Sequence, residues 1–134
     1  MDFHVESRRI GPEGSVSTCK DASLELDTAL AGREDAFNPA ELLLAALSAC
    51  MIKGIERVAP MLDFTFESVE ISLHGVRQDA PPKLSSIEYE IRVQTDEPDR
   101  RLSLLHDNVR KYGTVFNTVA PGTEMTGVLI RADG

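Results

Sequence analysis

A single thiol with two cations on its side of a helix is the feature of this sequence best suited to covalent chemistry. Cys50 lies in Leu47-Ser48-Ala49-Cys50-Met51-Ile52, followed by Lys53 and Arg57. At about 100° per residue, Leu43, Ala46, Leu47, Lys53, Gly54 and Arg57 share its side of a helix. Helical side chains lean towards the N-terminus, so Lys53 points back towards the sulfur. A nearby cation favours the thiolate, the nucleophilic form of the group. The helix dipole adds little, because Cys50 stands mid-helix. The competing reading makes Cys50 a small buried hydrophobe, with Lys53 and Arg57 reaching out to water. Cys19, on a strand beside Lys20, reads as structural.

Other chemistries find little footing. His4, His74 and His106 are scattered, and none is spaced with another His or Cys as metal ligands are. No Gly-rich phosphate loop and no nucleophilic-serine motif occurs, so no metal and no cofactor is expected. His106 reads as a packing residue near the surface. The formal charge of -8 repels phosphate backbones, which argues against a nucleic-acid partner. The pairs Arg8–Arg9 and Arg100–Arg101 are too short to reverse that and read as solvated surface. The apolar run Leu42–Ile52 is short of the roughly 20 residues a bilayer span needs, so no membrane partner is expected. The first residues show no secretory signal. Two cysteines far apart suit a reducing compartment, and the expected location is the cytoplasm.

The elements that must position the thiol are legible in outline. The 134 residues fit one domain, 1–134. With no Trp, its core rests on Leu, Ile, Val, Ala and Met. Strands are expected over His4–Ile10, Ser15–Cys19 and Ser23–Asp27, with Gly11-Pro12-Glu13-Gly14 as a turn and Thr28–Phe37 as a loop. Asn38 then caps a helix, Pro39 suits its first turn, and Glu41 completes an Asn-x-x-Glu capping box. Because Leu42–Ile52 is apolar nearly all round, this helix should be central and buried, and Pro60 should stop it. Val69, Ile71 and Leu73 alternate in one strand and Ile87, Tyr89, Ile91 and Val93 in the next, which predicts a hairpin turning at Asp79-Ala80-Pro81-Pro82. Pro98 opens a second helix with Leu102, Leu105, Val109 and Tyr112 on one face, and Gly113 is placed to end it. Thr123–Arg131 is a last strand. This order gives an α+β domain with antiparallel sheets around a long central helix.

With these residues in view, the chain resembles the OsmC/Ohr family, the osmotically inducible and organic hydroperoxide resistance proteins. Phe37-Asn38-Pro39-Ala40-Glu41-Leu42-Leu43-Leu44-Ala45-Ala46-Leu47-Ser48-Ala49-Cys50 is similar to that family's central helix, and Lys111-Tyr112-Gly113-Thr114-Val115-Phe116-Asn117-Thr118 to its second motif. The resemblance implies an intertwined homodimer with sites at the subunit interface. It implies reduction of organic hydroperoxides, with Cys50 as the attacking thiolate and a dithiol, often lipoyl, resetting the site. Leu47 and Met51 would suit an organic peroxide better than hydrogen peroxide. Three departures stand out. The family's second, resolving cysteine falls at Gly113, and its helix-start glutamate at Ala40. Its catalytic arginine falls near Arg9, a residue or two out of register. Glu41 cannot replace the glutamate, since it lies nine residues before Cys50, on the opposite helix face. The resemblance therefore implies a member that uses Cys50 alone with an outside thiol, Lys53 and Arg57 serving as thiolate-stabilising groups. The alternative is a non-catalytic dimer that binds a small apolar or acyl ligand. A dimer docking on another protein is a third possibility, for which no motif speaks.

Overall fold

The computed structural model describes residues 1–132. Chain contacts divide it into two compact units, Met1–Leu43 and the remainder from Leu44.

In the first unit, β1 (Glu6–Gly11), β2 (Gly14–Cys19) and β3 (Ala22–Leu26) form an antiparallel meander in the order β1-β2-β3. The predicted Gly11–Gly14 turn closes the first hairpin, with those two glycines as register partners. The strands are mostly exposed, and the buried polar residues are Ser15 and Asp27. Asp27 organises the following loop. Its carboxylate accepts the N–H groups of Ala29 at 3.0 Å and Arg33 at 2.8 Å, while its own N–H donates to the Phe37 carbonyl at 2.9 Å. The loop ends in the predicted capping box. Asn38 Oδ1 accepts the Glu41 N–H at 2.8 Å, and Glu41 Oε1 accepts the Asn38 N–H at 3.0 Å.

That box starts helix α1 (Pro39–Met61), most of which lies in the second unit. Leu47, Met51, Ile55, Val58 and Ala59 form its buried face, at the spacing an amphipathic helix requires. Within the single chain burial is one-sided: Ala46, Ala49 and Ile52 are exposed, although the apolar run had predicted burial nearly all round. Pro60 lies in the final turn, and the helix ends one residue beyond it.

Strands β4 (Ser68–Asp79) and β5 (Pro82–Gln94) form the expected antiparallel hairpin. Strand β6 (Glu124–Arg131) then joins β5 in parallel, giving the order β4-β5-β6. A parallel pair needs a crossover, and helices α2 (Asp99–Tyr112) and α3 (Thr114–Val119) supply it. The central strand carries the core: Ile87, Tyr89, Ile91 and Val93 are buried and cluster with Leu47, Met51, Ile55, Leu102, Leu105 and Val109.

One feature of α2 departs from expectation. Tyr112, expected on the interior face, is exposed, with the Lys111 ammonium 5.3 Å from its ring centre. Three residues beyond Val109 falls about 60° short of a full turn, enough to carry it off the buried stripe. Gly113 does end the helix, but in extended backbone at φ −77 and ψ 116 rather than a left-handed cap. Any residue can adopt that conformation, so the reason for a glycine lies in its surroundings. The short α3, which starts directly after it, was not anticipated.

Candidate functional site

Cys50 stands on α1 as a free, half-buried thiol packed against the main core cluster. Its near neighbour is Gly113 at the α2–α3 junction. A Cβ built on Gly113 would lie 3.1 Å from Cys50 Sγ and 3.1 Å from Phe116 Cβ, closer than side chains ordinarily pack. The sulfur therefore rests on the bare backbone of Gly113. One turn further along α1, the Cβ position of Gly54 is 3.5 Å from a Val109 methyl. From Cys50 to Gly54 is a step of four forward, and from Gly113 to Val109 four back, so α1 and α2 run antiparallel past each other here.

The remaining predicted residues are less enclosed. Lys53 and Arg57 are exposed on α1, and neither has an ion pair or side-chain hydrogen bond among the described residues. Arg9 is exposed on β1 opposite Ser15, next to a register shift, and is likewise unpaired among the described residues. Glu41 is committed to the capping box. Cys19 is a half-buried free thiol at the end of β2. Among the described residues no group of three or more His, Cys, Asp or Glu is arranged to hold a metal.

Two clusters went unnoticed in the sequence. In the first unit, Arg33 donates to both oxygens of Asp35, at 2.8 and 3.0 Å, and pairs with Glu25 at 3.3 Å. The bidentate contact with Asp35 holds that carboxyl below its usual range. These residues line a cleft of about 560 Å³ together with Ile10, Glu13 and Gly14. In the second unit, the Tyr89 hydroxyl is 2.6 Å from His106 Nε2 and accepts a hydrogen bond from Arg110 at 3.0 Å. Arg110 also stacks over the Phe116 ring at 5.1 Å, and Tyr89 meets that ring edge-on at 6.4 Å. Burial lowers the His106 pKa, with the Arg110 cation adding to the effect; burial raises that of Tyr89. No motif spacing could reveal these groups, because β5 and α2 bring them together from distant positions. Cys50 stays a candidate nucleophile: its thiol is free and half-buried, packed against the apolar core cluster and beside Gly113.

Comparison with known proteins agrees with this architecture. The profile of the family described as OsmC-like protein matches residues 32–126. The OsmC-like protein of Mycoplasma pneumoniae superposes with a TM-score of 0.90 at 16% identity, over 99% of each chain. An OsmC-like protein of unknown function from Vibrio cholerae gives 0.82 at 15% identity, over 97% of this chain and 99% of that one. The organic hydroperoxide resistance protein OhrB of Bacillus subtilis gives 0.67 at 19% identity, over 96% and 98%. At such identities these likenesses establish a shared fold. No curated protein matches at the level of sequence.

Proposed function

The chain belongs to the OsmC-like protein family, and from that premise we propose that it reduces organic hydroperoxides through Cys50, with an external dithiol as reductant. The Cys50 thiolate attacks the terminal peroxide oxygen. The S–O bond forms as the O–O bond breaks, leaving a cysteine sulfenic acid and an alkoxide that takes up a proton to become the alcohol. One thiol of the dithiol then displaces water from the sulfenic acid and forms a mixed disulfide. Its second thiol closes on the first, releasing the Cys50 thiol and an oxidised cyclic disulfide.

The observation that carries this reading is the contact of Cys50 Sγ with Gly113. The 3.1 Å from a Cβ there to the sulfur resembles the spacing across a disulfide from a Cβ to the far sulfur. In the family resemblance, the second cysteine falls at this position. The contact supports a site that keeps the geometry of a thiol pair while carrying one thiol, so that resolution comes from outside the chain. Lys53 and Arg57 are the proposed thiolate-stabilising groups on α1, and Arg9 the proposed counterpart of the family arginine. Leu47 and Met51, buried beside Cys50 in sequence, support an organic rather than an inorganic peroxide. A homodimer is part of the proposal: the apolar α1 run leaves Ala46, Ala49 and Ile52 exposed in the single chain, and a second copy would cover them. No helix is long and apolar enough to cross a membrane, and two free thiols suit a reducing cytoplasm.

The test is consumption of cumene hydroperoxide with dihydrolipoamide, comparing wild type with Cys50→Ser. The expected result is turnover in the wild type and none in the variant; equal rates would remove Cys50 from the reaction. Gly113→Cys should form a disulfide with Cys50 under mild oxidation, seen as loss of both thiols in a peptide map.

A further inference from the structure

The polar group buried behind the thiol site has no part in the chemistry above. Tyr89 is 4% exposed, and its ring is seated by β6: a Cβ at its register partner Gly127 would fall 2.5 Å from three of its ring atoms. Its hydroxyl oxygen accepts from Arg110, so its proton is free for His106 Nε2 at 2.6 Å. That arrangement requires a neutral imidazole with its proton on Nδ1. Arg110 is thereby fixed over Phe116, whose Cβ abuts the same point on Gly113 as the Cys50 sulfur. A continuous set of contacts thus runs from Gly127 through Tyr89, Arg110 and Phe116 to Gly113 and the thiol.

We propose that Tyr89, with His106 as its acceptor, is a positioning residue for Cys50: its hydroxyl holds Arg110 and Phe116 so that Gly113 forms a fixed wall beside the sulfur. This rests on the reading of Cys50 as the reacting thiol, and gives that reading a support outside the helix that carries it. Protonating His106 places a donor on both ring nitrogens and removes the acceptor for the Tyr89 proton. The groups facing His106 are Tyr89 from β5, and Arg110 and Asp107 from its own helix; Asp107 favours the protonated ring and Arg110 opposes it. The wall is therefore firm at neutral pH and loosens in acid. A fixed wall restricts reagents that must approach from several directions, and it orients the sulfur towards a peroxide.

The experiment uses a Cys19→Ser background, so that one thiol reports. Iodoacetamide labelling at pH 7.5 should quicken about five-fold in Tyr89→Phe and in His106→Leu, the effect of one lost hydrogen bond. His106→Gln keeps a neutral acceptor near the Nε2 position and should label at the parent rate. Amide exchange at Gly113, corrected for intrinsic rate, should accelerate in the parent once the pH falls far enough below the ordinary histidine range for the buried His106 ring to take up a proton, but not in His106→Gln. Under the proposal the fast-labelling variants also reduce peroxide more slowly. Labelling in Tyr89→Phe equal to the parent, with only thermal stability lowered, would overturn the proposal, as would His106→Gln behaving like His106→Leu. If Tyr89→Phe does not fold, the two His106 variants decide the matter. Labelling needs no peroxide, so an inactive wild type would refute the proposed reaction while leaving this result to stand or fall alone.

Discussion

The two units of this chain are ordered by different means. In the first, directional polar bonds do most of the fixing: one buried carboxylate, Asp27, holds two backbone N–H groups of the loop, and Arg33 grips Asp35 with two bonds. In the second, Leu47, Ile55, Ile87, Ile91, Val93 and Leu105 are wholly inaccessible to solvent, and apolar packing dominates. The difference shows what each region can tolerate. Apolar packing is non-directional but dense, so the second unit is sensitive to added volume. Hydrogen bonds are specific, so the first unit is sensitive to the loss of a single acceptor. The proposed nucleophile stands in the densely packed unit, where a sulfur can be held against bare backbone.

Substitutions can break this contrast in order of severity. Gly127→Ala should be the most damaging, because a methyl there would meet three Tyr89 ring atoms at 2.5 Å on a residue that cannot retreat from the core. A loss of about 3 kcal/mol is expected, read as a shift in urea midpoint. Asp27→Ala should cost less, about 2 kcal/mol, by orphaning the N–H groups of Ala29 and Arg33. Hydrogen exchange should show lost protection at those two amides first; undiminished protection there would contradict the role given to Asp27.

The mildest effect is that of acid. The folded-state pKa of His106 is below its ordinary 6.5, so the unfolded chain takes up that proton first and stability falls as pH drops below 6.5. His106→Gln should flatten this part of a stability–pH curve by a fraction of a kcal/mol. Glu97 behaves similarly at lower pH. The Thr65 N–H, with Arg101, holds its carboxyl below 4.5, so its stabilisation is complete above 4.5 and is lost as acid protonates it.

How much of this was legible in the sequence follows from the range of each interaction. The Asn38–Glu41 box, the alternation of Val69, Ile71 and Leu73, and the buried α2 stripe of Leu102, Leu105 and Val109 are local patterns, and each was readable. The parallel seat of β6 beside β5, and the Tyr89–His106–Arg110 cluster, join residues far apart in sequence, and no periodicity encodes them. Gly113 lies between these cases. Its place after α2 marked the helix end, which the structure bears out, but its backbone is extended, and the Cys50 sulfur crowds the space a side chain would enter. Cys50 itself was readable as a candidate from its type and helix. Its packing against Gly113 depends on the approach of α1 to α2, which only the fold supplies.

The most direct test of the account is a single-turnover reaction of reduced Cys19→Ser protein with one equivalent of cumene hydroperoxide, without reductant and with a sulfenic-acid trap. The account predicts that one equivalent of alcohol forms and that the trap is carried by the peptide containing Cys50. A Cys50 thiol that remains fully titratable, with the peroxide unconsumed, would contradict it.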